Sequence, residues 1–424
     1  MPSGYAQSAA ALFKALRLAL LLAFSLCLVS CEPAPKMPQE QLLVALLVAE
    51  GGDASGLDAE YRNAAELVRR DVARQGGVVT PKGQAALRVE VFTHGPSVEE
   101  GLRSMRRALA SGAVAIIGGS VSSQALPLAA LAEEFRTPFI SPGATNPQLT
   151  VGRHFVFRTP YSDTFQAKAL ARLCRNLGAA RAAVLFDQSN VYSSTLATEF
   201  EQAFAAQGGH KPALAGCQTA QQDATGQLLA LLRSRPQVLF LPVYHTDAPR
   251  LARQARVLGF RGQLVGPDGW ELLPDKDIGG MIGARFLASW HPSGPQTRAS
   301  REFLERYTTA FGRQPSSVAA LVYDAFGLVF QAAGLAAALE PLALAAALRD
   351  IKEYAGVAGV GRYLQGTPER DAQVLEITPR GILAAGTIRS ADVDRAQPAL
   401  QAGTTTGTSG TTGMTVTTAG EVAP

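Results

Sequence analysis

The sequence predicts an α/β fold of two lobes, each a parallel sheet covered by helices, and three observations carry that prediction. Short apolar runs alternate with amphipathic helical patterns over most of the chain, the rhythm of parallel sheets with helices on both faces. At 424 residues the chain is too long for one ordinary core, which divides it into two. Two of the runs, 114–118 and 138–141, end in Gly/Ser/Thr loops with a helical pattern at 125–135 between them. That order is strand, loop, helix, strand, loop.

Taken in order, the expected strands are 42–49, 87–93, 114–118 and 138–141, then 182–187, 213–217, 238–243 and 263–266. They divide into two sheets of four, with the short strand-like segment 154–159 as the first crossover between lobes. Helical patterns lie at 58–74, 98–110, 164–177, 193–206, 225–233 and 247–258. After Trp290 the pattern is mostly helical. Phe303, Tyr307 and Phe311 fall four apart on one face, the spacing of core packing. Long Ala-rich helices follow at 318–339 and 342–351, and 374–378 with 381–388 read as a closing hairpin. From Ser390 onward the chain turns to Thr/Gly/Ala low complexity with little to bury, and disorder is expected there.

The amino terminus reads as a leader. Lys14 and Arg17 precede an apolar run at 18–29, short for a membrane span and right for a signal-peptide core. The run ends in Leu28-Val29-Ser30-Cys31, which resembles the bacterial lipobox. In such signals the leader is cut before the Cys, whose thiol and new amino group are acylated. The plainer alternative is an ordinary secretory leader with Cys31 incidental. Glu32-Pro-Ala-Pro-Lys-Met-Pro38 then reads as a stiff tether. With Cys27 removed and Cys31 lipidated, Cys174 and Cys217 remain in an oxidising compartment, either bridged or as two buried thiols.

Composition excludes several classes. Net charge is +4, about +2 once the leader is gone, with no basic stripe, so nucleic acid is not the partner. No CxxC or HxxxH spacing marks a metal, and no cofactor motif is present. Gly-x-Ser-x-Gly is absent and the Gly-rich loops lack a P-loop Lys. Five His residues are scattered, of which only His245 lies near an expected cleft. The loops at 118–124 and 141–147 contain no Lys, Arg, His or Cys. They sit where open α/β sheets bind ligands, and one opens a helix whose unpaired N–H groups favour an anion. Capture without reaction is the expectation.

Ile117-Gly-Gly-Ser-Val-Ser-Ser123, Phe139-Ile-Ser-Pro-Gly-Ala-Thr-Asn-Pro-Gln-Leu-Thr150 and Phe157-Arg-Thr159 with Asp163 carry a family likeness. Arg253-Gln-Ala-Arg-Val-Leu-Gly-Phe260, Gly266-Pro-Asp-Gly-Trp270 and Val322-Tyr-Asp-Ala325 extend it. In their order and spacing they resemble the periplasmic-binding proteins of the leucine/isoleucine/valine type, solute receptors of ABC importers. The resemblance implies two doubly wound parallel-sheet lobes joined by three crossovers, the type I periplasmic-binding fold. It implies one lobe from 42–157 and 290–345 and another from 158–289 and 346–389, after a 1–30 leader and a 31–41 lipidated Cys and tether, with 390–424 as a tail.

By the same resemblance, Ser122 and Thr145 would hydrogen-bond a ligand carboxylate, aided by backbone at Gly143. Tyr192 and Tyr244 would reach across from the second lobe, Asp268 would pair with a ligand ammonium, and Trp270 would shut the cleft. Each has a plainer reading: Ser122 as a helix cap, Thr145 and Asn146 as turn formers, the tyrosines as packing, and Asp268 as a turn residue. Asp324, in a helix, reads as a structural hydrogen-bonder. The loop Glu50-Gly-Gly-Asp-Ala-Ser-Gly56 looks shorter and more acidic than the family pattern, so Glu50 or Asp53 could meet a polar or basic side chain. Ser193 stands where the family commonly has Gly. The implied protein is a monomeric, exported, lipid-anchored binder of a small zwitterion that serves an ABC permease. The rivals are a sensor lipoprotein on the same fold and an envelope hydrolase, for which no nucleophile–base pair is visible.

Overall fold

The apolar runs form the strands of two sheets. A computed structural model describes residues 40–219, 223–273 and 275–394. The expected leader, Cys31, the tether up to residue 39 and the tail beyond 394 lie outside the described residues.

The first lobe opens with β1 (Gln41–Ala49), α1 (Leu57–Gln75), β2 (Val78–Thr80), β3 (Gly83–His94) and α2 (Val98–Ala110). It continues with β4 (Ala115–Ile117), α3 (Ser122–Glu134), β5 (Phe139–Ser141) and β6 (Val156–Arg158). The sheet order is β2-β3-β1-β4-β5-β6, parallel throughout except the β2–β3 pair. β1 is central, which is why its run is apolar almost without interruption rather than alternating. The start of α2 is fixed by a capping box, Ser97 with Glu100.

The second lobe adds α4 (Asp163–Asn176), β7 (Ala182–Asp187), α5 (Val191–Ala206), β8 (Ala213–Cys217), α6 (Thr225–Leu232) and β9 (Val238–Phe240). Next come α7 (Ala248–Val257), β10 (Gln263–Gly266) and β11 (Arg285–Ala288). The chain returns to the first lobe with α8 (Arg298–Phe311), α9 (Ser317–Leu335) and α10 (Pro341–Asp350). Phe303, Tyr307 and Phe311 pack ring against ring on α8. A small antiparallel sheet follows, β12 (Glu353–Gly356), β13 (Gly359–Leu364) and β14 (Thr367–Glu369), then β15 (Ala372–Thr378) and β16 (Gly381–Ile388). The second sheet runs β16-β15-β11-β10-β9-β7-β8, with the closing hairpin antiparallel at its edge.

Three expectations need correction, and one left open is decided. The sheets hold six and seven strands rather than four each. The strand-like segment 154–159 holds β6, which pairs with β5 at the edge of the first sheet. The second return also falls later than residue 346. Val357, Ala358 and Tyr363 belong to the first-lobe core, and Asp324 on α9 accepts the Val357 and Ala358 N–H groups at 2.7 and 2.9 Å. The chain therefore rejoins the second sheet only at Ala372. The tail does not leave the fold at 390. Val393 is buried in the second-lobe core, Gln207 donates to its carbonyl at 3.3 Å, and Lys168 pairs with Asp394 at 2.6 Å. Lastly, Cys174 and Cys217 are buried free thiols. They sit in different core clusters of the second lobe, so each serves as a small apolar side chain.

Candidate functional site

Strand carboxyl ends from both lobes face one another across a cleft. From the first lobe come Asp53 and Leu57 after β1, Ser120 after β4, and Pro142, Gly143 and Thr145 after β5. α9 contributes Val318 and Leu321. From the second come Tyr192, Tyr244 and His245, with Asp268, Gly269, Glu271 and Leu272 after β10. The centre of a water molecule fits over about 50 Å³ of this space, so the lobes stand nearly closed around a small void.

The two hydroxyl-rich loops are held as one unit. A side chain at Gly143 would put its Cβ 2.3 Å from the Ser120 carbonyl oxygen, so only glycine lets the loops abut. The Ser141 hydroxyl donates to the Gly119 carbonyl at 2.9 Å and accepts the Ala144 N–H at 3.0 Å. Beneath them the fully buried Arg158 donates to the Asn146 carbonyl at 2.8 Å. Burial lowers its guanidinium to about 10.

Ser122 opens α3 but does not cap it; Val121 occupies the cap position, with no side-chain bond. The Ser122 hydroxyl is buried and has no hydrogen-bond partner, and its backbone N–H meets the Tyr244 hydroxyl. The capping alternative therefore does not account for it. Ser122 lies behind the lining, and Ser120 faces the void instead.

On the opposite side Asn190 caps α5, its Oδ1 accepting the Tyr192 and Ser193 N–H groups at 3.0 and 3.3 Å. That fixes Tyr192 on the first turn, where its ring stacks on Tyr244 with centroids 4.8 Å apart. The Tyr192 hydroxyl donates to Asp268 Oδ1 at 2.7 Å and accepts the Gly269 N–H at 3.2 Å. The Asp268 backbone N–H donates to Gln166 Oε1 at 2.7 Å. Both tyrosines pack and both also reach the void. Trp270 does not. It is fully buried in the second-lobe core, 6.0 Å from the Phe286 ring. A short 3₁₀ turn, Asp268–Trp270, folds the indole back over β10, where a Cβ at Gly266 would collide with it at 2.1 Å. The expectation that Trp270 shuts the cleft is thus overturned.

Further polar contacts cross from lobe to lobe. Asn190 donates to Asp53 Oδ2 at 2.8 Å, Asn146 to Thr195 Oγ1 at 3.1 Å, and the His245 ring meets the Ser55 carbonyl at 3.0 Å. Asn190, Ser120 and Glu271 escaped the sequence reading. Asn190 carried a signal, an Asn immediately before a helical pattern; Glu271 carried none beyond standing three residues after Asp268.

Electrostatically the cleft is acidic. Burial raises the Asp268 carboxyl despite its hydrogen bonds. Glu271 is pushed well above the usual carboxylate range by burial and then by Asp268. Asp53 is raised by burial and by Asp247. Behind them, fully buried Asp163 rises to about 8, chiefly through desolvation and then through Asp268. His245 is lowered by burial, which favours a neutral ring.

Two α/β lobes joined by three crossovers, with acids and tyrosines facing hydroxyl loops across a small void, define a type I binding-protein fold. The chain belongs to the periplasmic binding proteins of the leucine/isoleucine/valine-binding type, and the pattern defining the periplasmic binding proteins matches residues 41–382. It is 24% identical over 269 residues to the leucine-specific-binding protein of Salmonella typhimurium, covering 63% of this chain and 71% of that one. A leucine-binding protein from Thermotoga maritima superposes with a TM-score of 0.75 at 25% identity, over 83% of this chain and 99% of that one. A branched-chain amino acid transporter substrate-binding protein from Streptococcus pneumoniae, solved with isoleucine, shares the fold. Its TM-score is 0.73 at 20% identity, over 82% and 100% of the two chains.

Proposed function

We propose that this protein captures a small amino acid or amino-acid-like ligand between its lobes and presents it to an ABC permease. The observation that carries this reading is the void itself, with a carboxylate and two stacked tyrosines facing N–H and O–H donors across it. Ser120, Gly143 and Thr145 would receive the ligand carboxylate by convergent dipoles, without a cation. Asp268 would take the ammonium, supported by Tyr192 and Tyr244. A ligand that touches both lobes stabilises the closed form by its greater affinity for that form. No chemical step is assigned; His245 is held by a backbone carbonyl rather than by a nucleophile. The reading is tested by melting curves with individual amino acids. One at a hundred times its Kd should add about 2.7 kcal/mol of stability, whereas no shift with any of them overturns it.

The site of action in this reading is the outer side of a membrane, with acylated Cys31 as the anchor. Replacing Cys31 with Ala should move the protein from the membrane fraction to the soluble fraction of cells. Continued membrane association of the variant would remove Cys31 as the anchor.

A further inference from the structure

We infer that the ligand is an α-amino acid with a cationic side chain, whose second positive group lies between Asp53 of the first lobe and Glu271 of the second. This deepens the amino-acid reading of the cleft and rests on it. The argument is one of charge balance in a confined space. A zwitterion brings one carboxylate, answered by the first-lobe loops, and one ammonium, answered by Asp268. Asp53 and Glu271 also line the void, and nothing in a zwitterion with an aliphatic side chain answers them. Among the described residues the lining contains no Lys or Arg, and its one imidazole is bound to the Ser55 carbonyl.

The surroundings of the two acids do not supply a cation either. Asp53 receives the neutral Asn190 amide at 2.8 Å and has Asp187 and Asp247 for charged neighbours. Glu271 receives the Ser289 backbone, and its charged neighbours are Asp268 and Glu60. Arg313, the nearby cation, is already paired with Glu60 at 2.6 Å. Methyl groups pressed against two carboxyl groups would strip them of water and return no hydrogen bond, an unfavourable exchange. An ammonium or guanidinium returns charge-assisted bonds to both. The rest of the lining fits the remainder of such a ligand: Leu57, Leu272, Val318 and Leu321 offer apolar walls along which a methylene stem can lie. Because the two acids come from different lobes, the second cation would itself help to hold the clamp shut.

Titration calorimetry of the full mature chain with ornithine, lysine, arginine, leucine, glutamine and 1,4-diaminobutane tests this. At least one of the three basic amino acids should bind tenfold or more tighter than leucine and glutamine, a difference of about 1.4 kcal/mol. The diamine, which lacks a carboxylate, should bind at least tenfold more weakly than that amino acid. Asp53→Asn combined with Glu271→Gln should cost the basic ligand at least tenfold more than it costs leucine. Leucine binding as tightly as every basic amino acid in the unmodified chain would overturn the charge assignment while leaving the amino-acid reading intact. A diamine as tight as the diamino acid would also overturn it. Failure of every amino acid to bind would instead sink the underlying reading. The comparison on the unmodified chain decides the matter even if the double variant does not fold.

Discussion

Asp268→Asn should lower amino acid affinity by about tenfold to a thousandfold, consistent with losing a desolvated charge partner, and should leave the melting temperature of the free protein unchanged or raised. The two effects have opposite causes. In the free chain the Asp268 carboxyl is held away from water, with a neutral tyrosine hydroxyl as its partner at 2.7 Å, and burial accordingly disfavours its anionic form. Replacing it with a neutral amide of similar shape removes that desolvation penalty. In the complex the same anion meets an ammonium, and the attraction is strong because the site is small and poorly hydrated. The pH dependence follows with a definite sign. Binding an ammonium draws the Asp268 carboxyl down from its raised value, so affinity is full above the free-state pKa and is lost as pH falls through it. Asp163, raised to about 8 and coupled to Asp268, shares the titration, as does Glu271. The Asn variant should therefore flatten the slope without abolishing it. Calorimetry at a series of pH values checks both parts, and unchanged affinity across that range would remove Asp268 from the site.

The sequence made the sheets legible because buried parallel strands need no polar face. β1 reads as one apolar run for that reason, and the helices between strands show the 3.6 period of half-buried elements. β12 to β14 were illegible on the same grounds. Their burial alternates in short stretches broken by glycine and proline, and their register comes from Asp324, which lies about thirty residues away and bonds the intervening turn. The site was half legible. Gly143, Thr145, Tyr192, Tyr244 and Asp268 follow strand ends, a position that pattern alone identifies, and all five line the void. Ser120 and Ser122 could not be told apart, because which of two serines faces a cleft depends on the turn made by Gly118 and Gly119. The acidity of the cleft was visible only in part, since Asp53 belongs to a loop that reads as solvated until Asn190 is seen to bond it across the lobes.

Trp270 is the clearest case of a residue whose position along the chain suggests one role and whose fold gives another, and its substitution should carry the largest stability cost. Trp270→Ala should destabilise the protein by about 3–5 kcal/mol, the usual loss for a buried tryptophan, and lower the melting temperature by roughly ten degrees. The indole is fully buried among second-lobe side chains and lies against Phe286. The space it fills cannot be taken up by Gly266, which has no side chain to offer. A lid would behave in the reverse way: its removal would spare the fold, which does not lean on it, and cost ligand affinity. Trp270→Phe separates the cases even if the alanine variant fails to accumulate. It retains most of the apolar volume, and the indole Nε1 that it deletes has no hydrogen-bond partner to leave stranded. The phenylalanine variant should therefore melt above the alanine variant and bind ligand nearly as well as the unmodified protein. An unchanged melting temperature in Trp270→Ala, together with a large loss of affinity, would return Trp270 to the mouth of the cleft.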